Sequence, residues 1–122
     1  MTEQLLGTVA AGRAAGLTRD QVYDAVTRLR LFKPDVRIGQ TMGWGRLGLC
    51  RLRLAKELRD AGCSWRLIQA AATTAELQGW AGWLIVRGQH VTHSDRVGPR
   101  DDARVRVSVS LSEVLKWAQE VA

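Results

Sequence analysis

Cysteine, proline, tyrosine and phenylalanine are scarce in these 122 residues, at two, two, one and one copies. Cys50 and Cys63 stand thirteen residues apart, and neither belongs to a short Cys-x-x-Cys pair. With His90 and His93 they would supply the two thiolates and two imidazoles of a tetrahedral zinc site. The spacing argues against a metal, and two buried, reduced cysteines are the better account. One Tyr and one Phe, with no strand alternating basic and aromatic residues, leave little for stacking single-stranded nucleic acid. No apolar run nears the roughly 18 residues of a membrane span. Residues 1–6 lack the basic opening and long apolar stretch of a secretory signal, which predicts a cytoplasmic chain. Catalytic patterns are missing as well. There is no glycine-flanked nucleophilic serine, no helix with metal-binding histidines, and no carboxylate pair beyond Asp101-Asp102 in a turn-rich stretch. Glycines 39, 43 and 45 follow no strand and end in no Lys-Ser or Lys-Thr, so they are not a phosphate cradle. Neither an enzyme nor a cofactor is expected.

What is abundant is arginine. Of 18 cationic residues only Lys33, Lys56 and Lys116 are lysines, and the net charge is +6 with a pI near 10.3. A GC-rich coding sequence would produce the same excess. Guanidinium forks, however, suit phosphates and guanine edges better than ammonium groups do. The distribution favours a functional origin: Arg37, Arg46, Arg51, Arg53, Lys56, Arg59 and Arg66 face only Glu57 and Asp60 over residues 37–66. Such a cluster is the electrostatic footprint of a nucleic-acid contact. A chain this long builds one compact domain without staples.

The pattern predicts a helical pair over residues 1–33. Its first helix covers residues 2–15, and its second, over 19–31, opens on the capping box Thr18-Arg19-Asp20-Gln21 and is stopped by Pro34. Residues 35–45 read as loop, with Val36-Arg37-Ile38 at best a short strand. The most regular helix follows at 46–61, with Leu47, Cys50, Leu54, Leu58 and Ala61 on one face and Leu49 and Leu52 widening it to more than one contact. Ser64 caps a helix to Leu77 whose inner face is Leu67, Ile68, Ala71, Ala72 and Ala75. A rival reading starts a new helix at the capping box Thr73-Thr74-Ala75-Glu76; the run of alanines 70–72 favours one continuous helix. Trp83-Leu84-Ile85-Val86 reads as a buried strand extending toward Val91, and residues 104–111 alternate valine with arginine or serine. Paired, these two runs predict a hairpin over 82–109 whose long tip holds Gly98, Pro99 and Asp101-Asp102. A last helix, 111–121, opens on Ser110-Leu111-Ser112-Glu113 and packs through Val114, Leu115 and Trp117.

Helix, tight turn at Ala61-Gly62-Cys63-Ser64, second helix, then a basic hairpin is the order of a winged helix-turn-helix. Ala15-Gly16-Leu17-Thr18 with Val22 echoes Ala61-Gly62-Cys63-Ser64 with Ile68, each placing an aliphatic six residues after glycine. Over about residues 46–109 the chain resembles the winged helix-turn-helix regulators, with the candidate helix-turn-helix at 46–78. Leu58 and Gly12 stand where many such motifs carry alanine. The expected fold is therefore a single domain, mainly α with a β-hairpin.

The resemblance implies double-stranded DNA binding by a small transcriptional regulator, a repressor or accessory factor acting as a homodimer. Arg66, Gln69 and Thr73 would read bases, as guanine, adenine and thymine-methyl contacts respectively. Arg46, Arg53, Lys56 and Arg59 would hold phosphates. Arg87, His90, His93, Arg96, Arg100, Arg104 and Arg106 would form the wing. A different class stays open beside this one: a small inhibitor or adaptor, phage- or plasmid-borne, that binds a protein of a nucleic-acid-handling complex. Its anchors would be arginines and tryptophans, with Trp44, Trp80 and Trp83 exposed beside glycines. An AGxS turn also occurs in helical hairpins that bind nothing.

Overall fold

A computed structural model of the chain describes residues 5–28, 33–39, 41–95 and 104–122. Five helices and two small antiparallel sheets make up the described residues, so the expected α-rich α+β class is correct at that level.

Helix α1 (Thr8–Ala15) begins later than the periodicity predicts. Leu6 is drawn instead into a backbone bridge with Trp44, each amide donating to the other's carbonyl at 2.8–2.9 Å. Gly16, at φ +86°, closes the helix in the left-handed conformation that glycine adopts most readily. Helix α2 (Arg19–Tyr23) opens on the predicted capping box: Thr18 Oγ1 accepts from Gln21 N at 3.1 Å, and Gln21 Oε1 accepts from Thr18 N at 2.8 Å. It widens at once into a π-helical turn, Asp24–Arg28. The Thr27 hydroxyl donates to the Tyr23 carbonyl at 2.6 Å, a local bond that competes with the α-helical ladder. Residues 29–31 of the expected helix lie outside the described residues.

Where a loop was expected, β1 (Val36–Ile38) and β2 (Thr41–Gly43) pair in a short ribbon, with Val36 opposite Gly43. Helix α3 (Arg46–Asp60) follows and is the hub of the molecule. Leu49, Cys50, Leu52, Leu54, Ala55 and Leu58 are all fully buried, and at 100° per residue they surround the helix except for one strip that carries Arg46, Arg53, Glu57 and Asp60. Leu47, assigned to the inner stripe by its spacing, is instead 40% exposed. Ser64 Oγ accepts from Leu67 N at 3.2 Å and caps α4 (Trp65–Leu77). The helix runs unbroken through the threonines because their hydroxyls donate to carbonyls four residues back, Thr73 to Gln69 at 3.1 Å and Thr74 to Ala70 at 3.0 Å. A hydroxyl used this way does not cap a new helix. The five predicted inner residues of α4 are all buried.

The second sheet departs most from expectation. β3 (Trp83–Arg87), β4 (His90–Ser94) and β5 (Val105–Ser110) lie in the order β4-β3-β5. The predicted pairing of β3 with β5 is present, Trp83 opposite Ser110 and Val86 opposite Val107. Between them in sequence, however, Gly88 at φ +58° turns the chain after Arg87, and β4 pairs back along β3 with Arg87 opposite His90 and Trp83 opposite Ser94. A glycine at the first central position is what a two-residue type II′ hairpin requires. The hairpin tip is therefore Gly88-Gln89, not the stretch containing Gly98, Pro99 and Asp101-Asp102, which lies outside the described residues. Helix α5 (Leu111–Val121), capped by Ser110 on Glu113 N at 3.4 Å, returns across α3 and buries Leu111, Val114 and Ala118. No helix among the described residues is long and apolar enough to cross a membrane.

Candidate nucleic-acid interface

Arg66, Gln69, Ala70, Thr73 and Leu77 form one exposed stripe along α4. Their spacing of three and four residues keeps them on the face opposite Ile68, Ala71 and Ala75. The three predicted base-reading residues are thus side by side. Thr73 has its hydroxyl proton committed to the Gln69 carbonyl, which leaves its methyl group as the outward contact.

The four predicted phosphate contacts are not brought together. Arg59 stacks over the Trp65 ring, 4.7 Å from its centroid, and so stands at the same end of α4 as Arg66. Arg53 faces another way: its guanidinium lies 5.3 Å from the Trp117 ring centroid of α5 and 3.3 Å from Glu57. Lys56 reaches Asp60 at 3.0 Å and lays its stem against Gly16. Arg46 opens α3, about 20 Å of helix from Arg59 at 1.5 Å per residue. Arg51, which spacing did not single out, pairs with Glu76 and draws the C-terminal end of α4 back onto α3. Of the four, Arg59 is the one held beside Arg66, by its contact with Trp65.

The wing residues divide similarly. Arg106 projects from β5 to three main-chain carbonyls: Gly62 at 3.0 Å, Ala61 at 3.4 Å and Gly88 at 3.1 Å. One guanidinium therefore ties the α3–α4 turn to the β3–β4 tip. His93 turns inward, with its Nε2 2.6 Å from the Ala81 carbonyl and its side chain 11% exposed. Arg87 is half-buried and donates to Thr92 Oγ1 at 3.4 Å. His90, next to the tip, and Arg104, just before β5, are exposed. Arg96 and Arg100 lie outside the described residues.

The tryptophans contradict the expectation of exposed anchors. Trp44 is fully buried and donates from Nε1 to Thr8 Oγ1 at 3.2 Å, Trp80 is 3% exposed, and Trp83 is half-buried. Flanking glycines at Trp44 and Trp80 serve close packing and chain reversal rather than exposure. Trp65 and Trp117 are half-buried and capped by arginines. Both cysteines are buried, and no group of three or more His, Cys, Asp or Glu among the described residues would hold a metal ion. No family model, curated protein or solved structure matches the chain.

Proposed function

We propose that this chain is a small double-stranded DNA-binding protein of the winged helix-turn-helix kind, acting as a transcriptional regulator. The observation that carries this reading is the Arg106 bridge, which keeps the hairpin tip beside the turn that launches α4. Two elements that must meet one duplex together are thereby held at one end of the molecule. Arg66 then forks onto a guanine, Gln69 pairs with an adenine, and the Thr73 methyl meets a thymine methyl. Arg59, held out on the Trp65 ring, takes a backbone phosphate, and His90 with the Gly88-Gln89 tip lies along the neighbouring backbone. A single module of this size reads one half-site, so the regulator acts as a homodimer on a two-fold site.

Selection of bound duplexes from a random pool tests this directly. A recovered site with two related half-sites is expected. Gln69→Ala should relax the preference at one position per half-site, worth about 1–3 kcal/mol of discrimination. Recovery of sequences no different from the input pool would contradict sequence-specific binding.

A further inference from the structure

The exposed stripe of α4 changes character along its length. Its N-terminal half carries Arg66 and Gln69, and its C-terminal half carries Ala70, Thr73 and Leu77. At 3.6 residues per turn those last three lie within an arc of about 60°. Leu77 is 80% exposed, more than any other large hydrophobic side chain among the described residues. A lone exposed leucine is ordinary on a protein surface. Leu77 is not alone, because it extends a line of methyl groups that begins beside an arginine and a glutamine.

Hydrogen-bonding capacity is turned inward along this half of the helix. The Thr73 hydroxyl donates to the Gln69 carbonyl at 3.1 Å and the Thr74 hydroxyl to the Ala70 carbonyl at 3.0 Å, so neither proton is offered outward. Glu76 is the only carboxylate on α4 and flanks the stripe. Its pairing with Arg51 of α3 offsets the one charge on α4 that would repel a phosphate. The ridge of Ala70, Thr73 and Leu77 is therefore apolar and uncharged, and it is continuous with Arg66.

Among the base edges that a duplex presents in its major groove, the C5-methyl of thymine is the one apolar group. Ala70 to Leu77 covers about 10 Å of helix at 1.5 Å per residue, which matches three base steps of about 3.4 Å. We infer that the C-terminal half of α4 reads three adjacent T·A pairs through their thymine methyls, with Leu77 as the largest contact. The half-site is then guanine and adenine at the Arg66 and Gln69 end, followed by a thymine run. This assignment rests on the placement of α4 in the major groove.

The test measures affinity for the duplex selected from the random pool and for copies in which uracil replaces one thymine of the run at a time, in one half-site. That replacement removes the methyl group alone. Each should weaken the wild type about fourfold, the effect of one buried methyl. Leu77→Ala should weaken the unmodified site about fourfold or more and should lose its response to uracil at the position farthest from the guanine while keeping the others. Its thermal unfolding should match the wild type, because Leu77 is so exposed. A selected site without a thymine run, wild-type affinity for every uracil duplex, or a Leu77→Ala variant that still responds at all three positions would overturn the methyl readout while leaving sequence-specific binding in place. Failure to recover any specific site would overturn both.

Discussion

Gly48 shows how a single residue resolves a conflict between propensity and packing. It lies within α3, where alanine would be the better helix former by about 1 kcal/mol. Its amide donates to Asp35 Oδ1 at 2.7 Å, and a Cβ there would stand 2.7 Å from Cε3 of the fully buried Trp44. The carboxylate can swing aside only by giving up that bond, and the indole cannot move. Gly48→Ala should therefore lower unfolding stability by about 1–3 kcal/mol in urea, whereas a gain would mean that propensity outweighs the clash. Arg106 poses a second question at this scale. As a bridge to three carbonyls, its loss in Arg106→Ala should cost about 1–2 kcal/mol and speed amide exchange at Gln89 and Gly62. A side chain reserved for ligand would leave stability within about 0.5 kcal/mol.

Among the elements, what could be read from sequence is what local chemistry dictates. Ser64, Thr18 and Ser110 each cap the helix they were expected to cap, because a hydroxyl three residues before an amide needs no distant partner. Ser64→Ala should accordingly lower stability by about 1 kcal/mol, measured by thermal unfolding, and Ser64→Asp should restore it. The alternation of β5 was equally legible, with Val109 buried and Arg104, Arg106 and Ser108 exposed. β4 was not. His90-Val91-Thr92-His93-Ser94 contains one aliphatic residue, and its strand state comes from pairing with β3 rather than from its own pattern. The available signal was Gly88, two residues before His90, in a position that suits a hairpin turn. Gly88→Val should destabilise by about 1–2 kcal/mol because its φ is +58°, while Gly88→Asn should cost less, since asparagine tolerates a positive φ better than a β-branched residue does. The start of α1 was likewise hidden, since the bridge from Leu6 to Trp44 joins segments 38 residues apart.

At the scale of the molecule, the excess of arginine does not form a single basic face among the described residues. Arg53 and Lys56 are paired within α3, Arg51 is paired with Glu76, and Arg106 is spent on carbonyls. The candidate site that remains is smaller than the charge count suggested: Arg66, Gln69 and Thr73 on α4, with Arg59 and the hairpin tip beside them. Sequence spacing located the stripe because helical periodicity is local. It did not separate clamp from scaffold among the arginines, since that division depends on which carboxylate, ring or carbonyl the fold places within reach. Duplex affinity measured by fluorescence anisotropy across a salt series, for the wild type, Arg66→Ala and Arg59→Ala, tests the DNA reading most directly. Affinity should fall steeply with salt, Arg59→Ala should flatten the slope by about one unit, and Arg66→Ala should weaken binding to the selected site about tenfold or more. Absence of binding at low salt, or variants indistinguishable from wild type, would contradict it.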